Sequence, residues 1–428
     1  MDAPVDSHET DNAPRPDRRG AFRLLFFALA VIGAGNTMLI AAVLPPLTRH
    51  LGLPDWMAGA IFSLSAAMWV IMSPFWGRKS NFWGRRRVAA LGLAGYSASM
   101  LLFGISGLLA MTGIVTLPLL IFAMLLASRS LFGLFGSGTN PAAQAYVADR
   151  TDPAHRTTEI ASVTAGHSFG TVAGPAFAAA LVAVFGLLTP VFLTFFLAAA
   201  MSGLILTRLP EATPPQRAVG GARITTRGLW RDRRVIAYLV FATALSLVTG
   251  VLMQTFVFAV MDKMQVQGAQ AAQFTGPAFT IGAMATLMAQ LVLIPRLDMS
   301  NRRLMVVGAL SISFGAFLII PAQDFATLIL AQFAIGLGQG LARPGFFAGA
   351  SLAVDPDEQG DIAGLVMATN AIGFVVSPFF GPWMYEFAHP AVPFLIAGTV
   401  LLVMAPFAAV TANPARDELA SDAPGPAD

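Results

Sequence analysis

Of the 26 Lys and Arg residues in this 428-residue chain, 22 fall in every second gap between about twelve apolar segments. Arg15, Arg18, Arg19 and Arg23 precede the first segment. Arg78, Lys79, Arg85, Arg86 and Arg87 occupy 77–87, and Arg150 and Arg156 occupy 148–157. Arg208, Arg217, Arg223, Arg227, Arg231, Arg233 and Arg234 fill 208–234. Arg296, Arg302 and Arg303 lie in 295–303, and Arg416 in the tail. The intervening gaps hold only Arg49 and Lys263, while Arg129 and Arg343 sit inside apolar segments. A bilayer keeps basic loops on its cytoplasmic side, so the alternation sets orientation as well as topology. It predicts a multi-pass membrane protein with both termini in the cytoplasm.

The residues are 56% hydrophobic and 11% charged. Soluble domains run nearer ~45–50% and ~25%. The chain therefore reads as an all-α membrane protein whose surroundings are a lipid bilayer. Runs long enough to cross one, about 20 residues, lie near 21–44, 56–76, 88–110, 117–147, 158–183 and 187–207. A second set lies near 234–260, 272–294, 303–322, 325–352, 361–384 and 391–412. The first run exceeds the ~7–15 residues of a signal-peptide core. The organisation expected is a disordered cytoplasmic N-terminus (1–20), a six-helix bundle (21–207), a cytoplasmic linker (208–233), a second six-helix bundle (234–412) and a disordered cytoplasmic tail (413–428).

The net charge of +3 comes from the basic loops. No basic patch is interleaved with aromatic residues, so no nucleic-acid partner is expected. The absence of cysteine excludes disulfides and thiolate metal sites. No phosphate-cradling glycine loop, nucleophile–base set or metal-ligand cluster stands out, so neither an enzyme nor a cofactor is expected. Energy for any transport then comes from an ion gradient or from the solute itself.

The two sets of six resemble each other weakly. A shift of 203 places Pro141 on Pro344, Gly170 on Gly373, Pro175 on Pro378, Arg129 on Gln332 and His167 on Asn370. A shift of 217 places Asn81, Gly84, Arg85 and Arg86 on Asp298, Asn301, Arg302 and Arg303. Paired six-span repeats with a binding site near the bilayer midplane are an architecture of secondary transporters.

Three motifs carry a family resemblance. Residues 77–87 (GRKSNFWGRRR) resemble the signature loop of the major facilitator superfamily, through Gly77, Gly84, Arg85 and Arg86. Asn81 stands where that family has Asp, and Phe82 where it has Arg; the second half keeps the acid as Asp298. The resemblance implies a brace against the other half, weakened here by about 0.3–1 kcal/mol for the missing charge at a helix end. Span five, with Gly170, Gly174 and Pro175, resembles the superfamily's antiporter motif, which implies export and a close-packed, kinked seam. Arg129 and Gly133 resemble its fourth-span motif linked to proton transfer, and Pro141–Asp152 resembles tetracycline/proton antiporters. The implied architecture is the major facilitator fold: twelve transmembrane helices in two pseudo-symmetric six-helix bundles.

A charge at mid-membrane costs ~2.5 kcal/mol or more and is normally functional, so Arg129 is a candidate site residue, the alternative being a structural Arg that bonds loose carbonyls of neighbouring helices. No carboxylate lies at clear mid-depth, and the central titratable residue is His167. Its imidazole suits a proton carrier near neutral pH, with Arg129 controlling its charge and Asp262 in reserve. The polar cavity residues expected are Asn36, Arg129, His167, Gln254, Gln290, Gln332 and Asn370. Phe256, Phe258 and Met residues would supply apolar wall, and Arg343, nearer the cytoplasm, would attract an anionic solute or pair with the acidic loop at 355–361. The acidic loop Asp355, Asp357, Glu358 and Asp361 is expected to bridge to the 77–87 hairpin.

The function expected is secondary active, proton-coupled efflux of drug-like or amphipathic small molecules by a monomer. A dedicated metabolite or siderophore exporter is the alternative. A non-transporting receptor on the same fold would need an added soluble domain.

Overall fold

A computed structural model describes residues 18–152, 155–211, 229–355 and 358–411. The expected N-terminal disorder, most of the linker and the tail lie outside these residues, as does Asp357. Every regular element among the described residues is helical. Twelve helices are long and apolar enough to cross a bilayer. In chain order they are α1 (Arg19–His50), α2 (Asp55–Trp83), α3 (Arg85–Met111), α4 (Pro118–Ala148), α5 (Thr158–Phe185) and α6 (Thr189–Arg208). They continue as α7 (Arg234–Met264), α8 (Ala269–Leu297), α9 (Asn301–Ile319), α10 (Phe325–Leu352), α11 (Asp361–Phe387) and α12 (Val392–Thr411). Lipid offers no partner to backbone amides, so an apolar run of this length must satisfy them within its own helix.

Two boundaries differ from the hydrophobic pattern. The first helix runs to His50, beyond the apolar run that ends near residue 44. A five-residue π-helical segment, Leu39–Val43, interrupts it, and Pro45 and Pro46 follow at the start of Leu44–His50. A proline there lacks only a donor that a new helical turn would leave unpaired anyway. The second helix continues through Trp83, so the first part of the 77–87 stretch is helix, not loop. The chain reverses at Gly84, whose φ of 95° is open to glycine and strained for any other residue.

Within the first half α1 packs on α5, α2 on α4 and α3 on α4 and α6. The second half repeats this with α7 on α11, α8 on α10 and α9 on α10 and α12. The halves meet along α2 with α11 and α5 with α8. Glycines make that meeting close. A side chain at Gly59 would strike the Pro378 carbonyl of α11, and one at Gly276 would strike Ala179 and the Pro175 carbonyl of α5. The Thr275 hydroxyl donates to the Ala41 carbonyl in the π segment of α1, at 2.6 Å. These contacts lie toward the side opposite the termini.

Toward the terminal side the halves diverge. On α5, Ala161, Ser162, Ala165, His167, Ser168 and Phe169 are all exposed. At 100° per residue they cover more than half the helix circumference, more than one lipid-facing side accounts for. Ile71 and Phe82 of α2, Leu291 of α8 and Met367 of α11 are likewise exposed. Taken with the far-side contacts, the exposure of α5 indicates a cleft between the halves, closed at the far side and open at the terminal side.

Candidate functional site

The polar interior of the first half gathers on α1. Arg129, on α4, is only 1% exposed, and its Nη2 donates to the Asn36 side chain at 2.9 Å. Its guanidinium lies 4.5 Å from the Phe132 ring centre and 5.6 Å from that of Phe62. Aromatic faces attract a cation but accept no conventional hydrogen bond. Arg129 Nε and Nη1, and the nearby Tyr96 hydroxyl, find no hydrogen-bond partner among the described residues. An enclosed cation with one neutral partner and no acid is poised for another charge or dipole.

His167, on α5, also leans on α1. Its imidazole bonds the backbone at Leu29, and its backbone carbonyl sits so close to Gly33 that a side chain there would strike it. Leu29 and Asn36 are seven residues apart, about 10 Å along the helix axis. His167 and Arg129 thus share one supporting helix, and no direct bond links them among the described residues. His167 is exposed to the cavity, while Arg129 is sealed behind it.

In the second half, Gln332 on α10 is buried against Gly282 of α8, and Gln254 on α7 is buried with its Oε1 unpartnered among the described residues. Asn370 turns its amide to the Val366 carbonyl of its own helix, 3.2 Å away. Gln290 lies half-buried in a second π segment, Ala289–Leu293. Arg343 is accessible to solvent yet enclosed by the protein. Phe258 does not line the cavity as expected. It is fully buried at the far side, between Tyr385 and the Arg49 guanidinium. Phe256 is buried too, edge-on to Phe279.

The far side is held by charge. Arg49, on α1, grips the Asp55 carboxylate through Nε at 2.9 Å and Nη2 at 2.6 Å. It also reaches across to Asp262 on α7, with Nη2 to Oδ2 at 3.1 Å and a second, shorter bond through Nη1. The Tyr385 hydroxyl of α11 donates to Asp262 at 2.7 Å. Beside them the Trp56 amide of α2 donates to Glu386 of α11 at 3.1 Å. One arginine therefore serves two carboxylates belonging to opposite halves. The sequence marks Asp262 alone of this cluster; Arg49 is conspicuous only as a basic residue on the poorly charged side.

Two packed six-helix halves narrow the choice of family, and the amino-acid sequence decides it. A profile of the Major Facilitator Superfamily matches residues 25–298 and 272–427. The chain belongs to the major facilitator superfamily. As a major facilitator it is a membrane transporter of small molecules, not an enzyme. It is 24% identical over 386 residues to "Multidrug resistance protein 2" of Bacillus subtilis (strain 168), covering 88% of this chain and 90% of that one. A bacterial homologue of the human lysosomal transporter Spinster, inward-facing and occupied, superposes with a TM-score of 0.68 at 16% identity, over 97% of this chain and 100% of that one. The human organic anion transporter MFSD10 superposes with a TM-score of 0.61 at 19% identity, over 92% of this chain and 100% of that one.

The superfamily motifs take up definite places. Asn81 accepts from the Arg85 guanidinium, which also holds Asp149 at the end of α4, 3.1 Å away. Arg86 pairs with Glu211 at 3.1 Å. The signature stretch from Gly77 to Arg86 is thus tied to its own half in this state. The expected bridge from the acidic loop is not found among the described residues: Glu358 and Asp355 approach Arg234 at 3.5 and 3.8 Å. Asp361 begins α11, Arg302 lies in the first turn of α9, and Asp298 ends α8 with φ 41°. Gly170 and Gly174 do not form the seam between halves. They press α5 onto α1 inside the first half, against Ala30 and Ala34. Pro175, next in the motif, meets Gly276 of the other half through its carbonyl.

Proposed function

We propose that this transporter is a secondary active exporter that exchanges protons for amphipathic, drug-like small molecules by alternating access. The carrying observation is the single-sided cavity, bonded shut at Arg49–Asp262 and reached from the terminal side. Read with the basic-loop alternation, the open side is the cytoplasm of a bacterial cell and the closed side its exterior. Cargo entering from that side leaves outward when the far contacts part and the terminal side closes. The name of the Bacillus relative, a multidrug resistance protein, is in keeping with export.

In this reading His167 carries the proton and Arg129, held by Asn36, opposes its charge when the halves move. Asp262 is the exit-side acceptor. Asn36, Gln254, Gln290, Gln332 and Asn370 supply polar contacts as the cavity reshapes. The test is proton movement in inverted vesicles. Adding an amphipathic solute is expected to release protons through the native protein and not through His167→Gln. An unchanged pH response in that variant would remove His167 from the mechanism. No proton movement with any solute would exclude proton exchange.

A further inference from the structure

The ionisable residues of the spans are distributed unevenly with depth. Their acids, Asp55, Glu159, Asp262, Asp361 and Glu386, lie within two residues of a span end. The basic residues well inside are Arg129 and Arg343. Arg129 is sealed and bonded, whereas Arg343 meets solvent and makes no hydrogen bond or ion pair among the described residues. Its direction follows from its helix. On α10, Gly338, Ala342 and Gly345 pack on α9, Gly336 and Gly340 on α8, and Phe346 and Gly349 on α7. Arg343 falls in the arc between the α7-facing and α8-facing residues. Gln332 and Gln339 fall there too, eleven and four positions earlier, so the three form one stripe. It runs from Gln332, buried at the closed end, through half-buried Gln339 to exposed Arg343 nearer the open side.

An enclosed guanidinium is costly unless a partner compensates it. Nothing in the described protein does so for Arg343, and no acid inside the cavity offers to hold a cation. We infer that Arg343 is the anchor for the anionic group of the cargo, and that this transporter selects amphipathic organic anions over cations. The guanidinium presents five fixed donors, which match a carboxylate or sulfonate two bonds at a time. Gln339, one turn deeper, donates or accepts beside it. Export as read above is assumed, but the charge preference is tested separately.

The experiment uses the full chain in lipid nanodiscs and two probes with the same ring, naphthalene-2-sulfonate and a naphthyl trimethylammonium. Equilibrium dialysis against empty nanodiscs gives their binding. The sulfonate is expected to bind saturably and at least about tenfold more tightly than the cation, the scale of hydrogen bonds to a charged group. Arg343→Gln is expected to lose about tenfold for the sulfonate, and Arg343→Lys, which keeps the charge without the two-bond fork, to fall between the two. Equal affinity for the two charges, binding of neither, or full sulfonate binding by a folded Arg343→Gln protein would overturn the assignment. If Arg343→Gln does not fold, the native charge preference and the Lys variant decide. The export reading fails on a different result, a far side that never becomes accessible to labels with any solute present.

Discussion

Four basic residues break the alternation that orders the rest, and each has a particular setting. Arg49 bonds carboxylates of both halves, and Lys263 donates to the Ile320 and Ala322 carbonyls at 3.0 and 2.9 Å. Arg129 bonds Asn36, and Arg343 faces the cavity. A cation that departs from the membrane's charge rule needs a local reason to stay, so these exceptions were the sharpest site signals in the sequence. Tyr385 and Glu386 were not legible, because their importance comes from which helix end lies opposite. Asn36→Ala leaves the buried Arg129 guanidinium without its hydrogen-bond partner. It is expected to destabilise the protein by about 1–3 kcal/mol, seen as a lower unfolding temperature in detergent. Asp324 caps α10 by accepting from the Thr327 amide at 2.9 Å and hydroxyl at 2.8 Å. These bonds hold its carboxyl below the usual carboxylate range. Its contribution is therefore whole at neutral pH and disappears only as pH falls through that depressed value. Asp324→Asn should accordingly leave a smaller loss of thermal stability on acidification from pH 5 to pH 3, roughly the interval around an ordinary carboxylate.

At the scale of helices, apolar length was sufficient to place all twelve spans, because lipid permits few alternatives to a helix of that reach. Where helices end was less legible. Hydropathy stops at charges, but α2 carries its backbone bonds through Gly77–Trp83 and yields only at Gly84. Nor could glycine spacing tell which helix a small face meets. Gly170 and Gly59 look alike in sequence, yet one packs within a half and the other between halves. Their substitutions are expected to fail differently. Gly170→Leu overfills the contact of α5 with α1 and should cost about 1–3 kcal/mol of stability. Gly59→Val should keep its fold and resist closure against Pro378. The distinction is read from thermal unfolding beside labelling of a cysteine placed at Ala41, in a chain that has no other cysteine. A stable Gly170→Leu protein, or a Gly59→Val protein with Ala41→Cys still protected, would contradict it.

For the molecule as a whole, closure at the far side combines polar bonds with close glycine contacts. Parting the halves there exposes carboxylates, an arginine and carbonyls that water can receive, so the change need not uncover a large apolar surface. Arg49→Gln removes the ion pairs to both Asp55 and Asp262. It is expected to raise far-side labelling of Ala41→Cys severalfold while the protein still folds; unchanged labelling would show that the remaining contacts, the Trp56–Glu386 and Thr275–Ala41 bonds and the glycine packing, keep the far side shut without it. The pairing of Arg49 with Asp262, whose side chain is 45% exposed, also makes the balance sensitive to where electrolyte is dissolved. The screening length shrinks from about 8 Å at physiological strength to about 3 Å in molar salt. Brine confined to the compartment that bathes Asp262 should loosen the pair directly, whereas brine in the opposite compartment reaches it only by way of the open cavity. The resting posture of this transporter then depends on the difference in ionic strength across its membrane, a variable separate from its cargo.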